Sequence, residues 1–230
     1  SLTLSFDTRD NRLFPTSGHY HVVATELAGK WLGSELDFYR FNVNLHYYKP
    51  LFWKLVLKLN GRLGYITSSN PNGVPLAERF FPGGIYTLRG FQYRSLGPQV
   101  DIPNNGSDPF SPGSSFPIGG NKQVILNVEI EFPIFPQAGL KGVLFADAGN
   151  AWGHSENFFY VNNPEDKIPD AYLMGSGRRI KPPLGMYYSF GFGFRWYSPI
   201  GLLRFEWGIP ITKRRPDDRA IQFEFTIGAF

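Results

Sequence analysis

Apolar and polar residues alternate with a period of two along most of this chain. Between Gln123 and Phe132 one face reads Val124, Leu126, Val128, Ile130 and Phe132, and the other reads Gln123, Asn127, Glu129 and Glu131, with Ile125 the exception. Tyr188, Phe190, Phe192, Phe194 and Trp196 alternate with Ser189, Gly191, Gly193 and Arg195. Leu203, Phe205, Trp207 and Ile209 alternate with Arg204, Glu206 and Gly208, and Ile221, Phe223, Phe225 and Ile227 with Gln222, Glu224, Thr226 and Gly228. Two earlier stretches do the same: Tyr39, Phe41, Val43, Leu45 and Tyr47 against Arg40, Asn42, Asn44 and His46, then Leu55, Leu57, Leu59, Leu63 and Tyr65 against Lys58, Asn60 and Arg62. Successive side chains of a strand point to opposite sides, so strict alternation means strands with one dry and one wet face. The pattern predicts nine strands, at 2–9, 19–28, 38–48, 54–66, 122–132, 140–149, 186–197, 202–210 and 220–229. The second is the least regular, because Glu26 falls on the face of Tyr20 and Val22.

The length of these strands decides what the dry face meets. Most run about nine to eleven residues, the span a tilted strand needs to cross a bilayer. Tyr39, Tyr47, Tyr65, Tyr188 and Trp196 sit near the ends of apolar faces, as in an interfacial aromatic girdle. A soluble β-sandwich would carry shorter strands and mixed aliphatic faces. The connections alternate too. Short turns holding Pro or Gly lie at 11–18, 49–53, 135–139 and 198–201, and longer links at 29–35, 66–121, 153–183 and 213–219. Short periplasmic turns and long external loops are the habit of outer-membrane barrels, which would end the last strand in the periplasm. The expected fold is therefore all-β: a single antiparallel transmembrane β-barrel domain over 1–230, with a long loop, 66–121, folded into its lumen. Bacterial barrels normally hold an even number of strands. Nine strands thus read as part of a larger barrel, or as eight with a miscounted end.

Composition narrows the function. Charged residues are 18% of the chain, against about 25% in a typical soluble domain, and aromatics are 17%. No apolar run approaches the ~18 residues of a membrane-crossing helix. The absence of Cys excludes disulfides and thiolate metal sites. The net charge of +4 is scattered rather than striped, which argues against nucleic acid. The chain opens directly on strand, so it reads as mature or truncated rather than as a precursor. His19 and His21 share a face, but no ligand pattern accompanies them, so they are expected to be solvated or in the lumen. No zinc-protease, phosphate-loop or nucleophile-elbow motif occurs, and Gly191, Phe192 and Gly193 lie mid-strand, where no dinucleotide fingerprint works. Neither an enzyme activity nor a cofactor is implied. The charged segment 213–219 reads as a solvated external loop.

The link 66–121 is too long to be an idle connection. It contains Arg79, Phe80, Phe81, Pro82, Gly83 and Gly84, then Leu88, Arg89, Gly90 and Phe91. Further on come Phe145, Asp147, Gly149 and Trp152, and the chain closes on Phe223, Phe225, Gly228 and Phe230. This ordered set resembles the C-terminal barrel of the BamA-type outer-membrane assembly proteins, also called bacterial surface antigens, over essentially the whole chain. The resemblance implies that Arg89, Gly90 and Phe91 form the tip of a loop that folds back into the lumen. A buried guanidinium costs several kcal/mol unless paired, and alternation turns Glu129 and Asp147 inward on neighbouring strands. An Arg89–Asp147/Glu129 latch is the expectation, supported by Phe145, Gly149, Gly83 and Gly84. The terminal strand resembles the recognition signal of outer-membrane proteins, which adds to an exposed edge by β-augmentation. The family further implies a full barrel of roughly sixteen strands in the Gram-negative outer membrane. Its function would be insertion or assembly of outer-membrane proteins, or their translocation. The expected partners are outer-membrane lipids and lipopolysaccharide, unfolded outer-membrane protein clients, and the missing barrel half or a second copy. A passive pore or structural barrel, and a dedicated two-partner-secretion translocator, are the alternatives.

Overall fold

A computed structural model describes residues 1–29, 33–34, 36–71, 73–101, 115–159, 172–173, 179–180, 183–198, 201–212 and 219–228. In chain order its strands are β1 (Leu2–Asp7), β2 (Gly18–Ala28), β3 (Phe38–Pro50), β4 (Val56–Thr67), β5 (Gln99–Asp101), β6 (Ser115–Pro117), β7 (Lys122–Phe135), β8 (Leu140–Trp152), β9 (Tyr172–Leu173), β10 (Arg179–Ile180), β11 (Tyr187–Ser198), β12 (Gly201–Pro210) and β13 (Gln222–Ile227). Nine of them form one antiparallel sheet in the order β1-β2-β3-β4-β7-β8-β11-β12-β13, so each long strand pairs with the next long strand in the chain. The remaining four make two small ribbons, β5 with β6 and β9 with β10, which sit in the long links. No helix among the described residues is long and apolar enough to cross a membrane.

All nine predicted strands are present, with shifted ends. Strand β7 runs on to Phe135, past the predicted end at 132, and its pairing with β8 slips between Pro133 and Phe135. Pro133 lacks the N–H that a regular ladder needs, so the extra length is carried by a bulge. Strand β13 stops at Ile227, because Gly228 turns away at φ 131 and donates its N–H to the Leu202 carbonyl at 3.0 Å. Phe230 lies outside the described residues. Within the long link, the β5–β6 ribbon and a bridge between Phe80 and Gly120 were not foreseen.

The sheet rolls up. Phe14, in the turn between β1 and β2, meets the Tyr197 ring of β11 edge-on at 4.2 Å. Residues from β2, β3, β4, β7, β11 and β12 line one cavity of about 360 Å³, among them Tyr20, His46, Asn60, Asn127, Arg195 and Arg204. Strands β1 and β13 stand at the two ends of the strand order. The outward face is apolar and bare: Tyr39, Leu45, Tyr47, Phe190, Phe192, Trp196, Phe223 and Phe225 are all exposed. A contiguous aromatic surface of this extent is a liability in water and a requirement in lipid.

Two sequence irregularities find physical reasons here. Glu26 does face inward, where it pairs with its cross-strand neighbour Arg40 at 2.8 Å, and Arg40 also binds Glu78 of the long link. Ile125 points inward among polar residues because it is fully buried beneath the link, against Leu88 and Tyr187. Of the two placements expected for the histidines, the lumen is ruled out. The register pairs His19 with Tyr47 and His21 with Leu45, on the outward face, and the two rings stack at 4.9 Å. Both are half-buried there, near the short turn that precedes β2.

The outward face yields a direct test. Phe192→Arg, near the middle of β11, is expected to destabilise the folded barrel by roughly 2–4 kcal/mol, the cost of arginine at mid-bilayer. Urea unfolding in liposomes, followed by tryptophan fluorescence, measures it.

Candidate functional site

The site is built where the long link enters the lumen. Its entry is a tight turn: the Gly84 N–H donates to the Leu88 carbonyl at 3.0 Å, and the Gly83 N–H to the Thr87 hydroxyl at 2.8 Å. Asn127 of β7 fixes this turn to the wall by donating to the Thr87 carbonyl at 2.8 Å, and is itself held by Asn60 of β4 at 2.9 Å. Leu88, Phe91 and Leu96 then pack with Ile125 and Tyr187 into a small apolar core, Phe91 meeting Tyr187 edge-on. Burial of these side chains holds the segment down, at roughly 1.5–3 kcal/mol for each large one.

Between Leu88 and Phe91 the backbone comes into van der Waals contact with the wall. Gly90 has φ 87, and a Cβ on it would lie 3.0 Å from the Gly208 carbonyl carbon of β12; a Cβ on Gly208 would lie 2.2 Å from the Gly90 nitrogen. Only a glycine pair allows this approach. It sets the depth at which Arg89 is presented.

Arg89 is 2% exposed. Its Nε donates to Asp147 Oδ2 at 2.7 Å and its Nη2 to Asp147 Oδ1 at 2.6 Å, a bidentate fork onto β8. Its backbone N–H adds a third bond to the same carboxylate at 3.1 Å. Nη1 reaches Glu129 Oε1 of β7 at 2.5 Å and Glu206 Oε2 of β12 at 3.3 Å. The guanidinium plane lies over the Phe145 ring, with Cζ 3.6 Å from its centroid. Fork, ring and flanking carboxylates together give a desolvated guanidinium the geometry it needs. Gly149 also faces this interior, leaving room for the Leu88 side chain.

Around Arg89 the wall carries its own ion network. Arg195 of β11 donates to both oxygens of Glu129 at 2.9 Å and to Glu206 Oε1 at 3.0 Å, and Arg204 binds Glu206 at 2.8 Å. Lys58 and Lys141 each hold Glu131 at 2.8 Å. Four wall carboxylates (Glu129, Glu131, Asp147 and Glu206) thus face four wall cations (Arg195, Arg204, Lys58 and Lys141) before Arg89 arrives. They are not evenly served. Glu129 and Glu206 are also bound by Arg195, whereas among the described residues every hydrogen bond to the Asp147 side chain comes from Arg89.

A family model described as the Omp85 superfamily domain matches residues 1–230. The chain belongs to the Omp85 superfamily. It is 29% identical over 230 residues to the outer membrane protein assembly factor BamA of Neisseria meningitidis, covering 95% of this chain and 27% of that protein. It is likewise 29% identical to BamA of Nitratidesulfovibrio vulgaris, covering 97% of the chain and 24% of the relative. The crystal structure of BamA from Haemophilus ducreyi lacking POTRA domains 1–3 superimposes with a TM-score of 0.74 at 26% identity, over 99% of this chain and 41% of that one. The chain therefore spans about a quarter of the length of the curated relatives it matches. Family and fold make it an integral outer-membrane β-barrel.

In this Omp85 barrel the structure brings Arg89, Glu129, Asp147 and Phe145 into one cluster, with Gly90, Phe91 and Gly149 packed around it. Phe223 and Phe225 lie elsewhere, on the outward face of β13, their rings tilted against Trp207 and Phe205 at 5.0 and 4.9 Å. Sequence reasoning missed Glu206, Arg195, Arg204, Asn127 and Gly208. Each stood on a predicted wet face, but only the register shows that they share a depth. No cluster of metal-ligand type occurs among the described residues.

Unequal service of the carboxylates makes a prediction. Arg89→Ala should cost roughly 3–5 kcal/mol, the usual penalty for orphaning one half of a buried pair. In double-mutant cycles, Asp147→Asn should couple to Arg89→Ala more strongly than Glu129→Gln does, because Glu129 retains Arg195. Unfolding midpoints of the three single variants, the two double variants and the parent decide it; equal couplings would contradict this assignment.

Proposed function

We propose that this barrel assists the insertion and assembly of outer-membrane β-barrel proteins, with the Arg89 segment acting as an internal latch that holds the working shape of the barrel. The observation that carries this reading is the fully desolvated Arg89 fork onto Asp147, in a chain of the Omp85 superfamily whose matched relatives are named outer membrane protein assembly factors. A polar loop buried so thoroughly is costly to build. A barrel meant only to stand in a membrane has no need of it.

The mechanism is read as non-covalent. The clients are unfolded outer-membrane proteins, and the surroundings are outer-membrane lipids and lipopolysaccharide against the bare aromatic face. A client strand would join the sheet by backbone pairing at an edge. The strand proposed for that pairing is β13, with Phe223, Phe225 and Ile227 exposed on its outward face. A further barrel half or a second copy would complete the ring that the family's larger barrels close. The alternative reading is a barrel of the same fold without insertase activity.

Reconstitution separates the two. The purified chain in liposomes is expected to speed the folding of an added unfolded β-barrel client, followed by its heat-resistant migration on gels. Arg89→Ala should lower that rate at least tenfold while far-ultraviolet circular dichroism still reports a folded sheet. A stable conductance with no acceleration of client folding would instead identify a passive pore.

A further inference from the structure

Strand β13 carries one inward carboxylate that the latch does not use. Glu224 stands directly opposite Glu206 in the β12–β13 ladder. Like charges on facing positions weaken strand pairing. Glu206 is compensated, by Arg204, Arg195 and Arg89. Glu224 makes no ion pair among the described residues, and its Oε2 is buried without a hydrogen-bond partner. The ladder it sits in is short, running only from Leu203↔Ile227 to Gly208↔Gln222, while the β11–β12 ladder runs from Ser189↔Pro210 to Ser198↔Gly201.

What holds Glu224 comes largely from the long link. Arg89 and Arg204 supply the nearby positive charge, and the Ile85 backbone amide acts on the carboxylate in the same sense. Gly84 stands against it: a Cβ there would lie 3.5 Å from Glu224 Oε1. Two of these three favourable influences, Ile85 and Arg89, belong to one short segment that is seated or unseated as a unit, since Gly84 hydrogen-bonds to Leu88. If that segment withdraws, Glu206 loses its bond to Arg89 and Glu224 loses the Arg89 charge at the same moment. The two carboxylates are then left facing each other in the middle of a short edge ladder.

We infer that Glu224 is a positioning residue that makes the pairing of β13 with β12 conditional on the seated Arg89 segment. The link then clamps the terminal strand from inside the lumen, and its release loosens the edge. The use of this coupling in client insertion rests on the assembly reading above; the coupling itself is a property of the chain alone.

Hydrogen–deuterium exchange on the full chain in lipid nanodiscs tests it without any client. Arg89→Ala is expected to speed exchange of the Phe223–Ile227 amides about fivefold. Adding Glu224→Gln, which keeps the size of the side chain but removes the repulsion, should restore most of the protection. Glu224→Gln alone should exchange no faster than the parent. Should Arg89→Ala fail to fold, Gly90→Ala unseats the segment by crowding Gly208 and leaves every charge in place, with the same pattern expected. Equal exchange in the unseated variants with Glu224 and with Gln at that position would overturn the inference, as would a β13 that stays protected when the segment is unseated. Client-insertion rates, scored separately, report on the assembly reading and leave this result standing either way.

Discussion

A guanidinium without water needs partners on more than one side, and the interior of this barrel is arranged around that need. Arg89 is supplied by Asp147 on β8, Glu129 on β7, Glu206 on β12 and the Phe145 ring beneath it. Arg89 and Glu206 lie far along the chain from the β7–β8 hairpin that holds the others, so the groups converge only when the sheet is rolled and in register. The latch therefore reports on the shape of the barrel as much as it stabilises it. Small changes in strand register would break the fork, and a broken fork leaves Asp147 buried without a hydrogen bond.

The surrounding ions explain why such a centre is affordable at all. Glu129 and Glu206 are shared between Arg89 and Arg195, so neither is stranded when the link moves. Glu131 has two lysines of its own. Facing pairs of like sign, such as Arg195 with Arg204 and with Lys141, are made tolerable by carboxylates placed between them. In a wall balanced in this way Arg89 is the one cation of the cluster that comes from the link rather than from a strand. Its loss is felt mainly at Asp147 and, through the acid pair of Glu206 and Glu224, at the terminal strand.

The apolar parts do different work. Leu88, Phe91 and Leu96 dock on Ile125 and Tyr187, which fixes where the segment lies. The Gly90–Gly208 contact fixes how deeply it lies. Charge then decides whether it stays. This division explains why one strand, β7, breaks its own alternation: Ile125 is an apolar foot for the link, set on the same wet face as Asn127, which grips the turn, and Glu129, which meets the arginine.

How much of this was legible in the chain follows from the period of the strands. Alternation is local, so the sequence alone determined that nine strands exist, which face is wet on all but the irregular second one, and that the dry face meets lipid. The ordered motifs also singled out Arg89, Glu129, Asp147 and Phe145. Depth along a strand is not local. It depends on register, on bulges such as the one at Pro133, and on how far the sheet rolls. For that reason Glu206, Arg195 and Arg204 looked like ordinary wet-face residues, and Glu224 gave no sign that it faces another carboxylate. The side taken by His19 and His21 was left open for a related cause: two histidines carry too little hydrophobic signal to reveal it. Only the tertiary structure put these charges at one height, because Coulomb energy and desolvation act through space while the pattern that makes a strand acts along the chain.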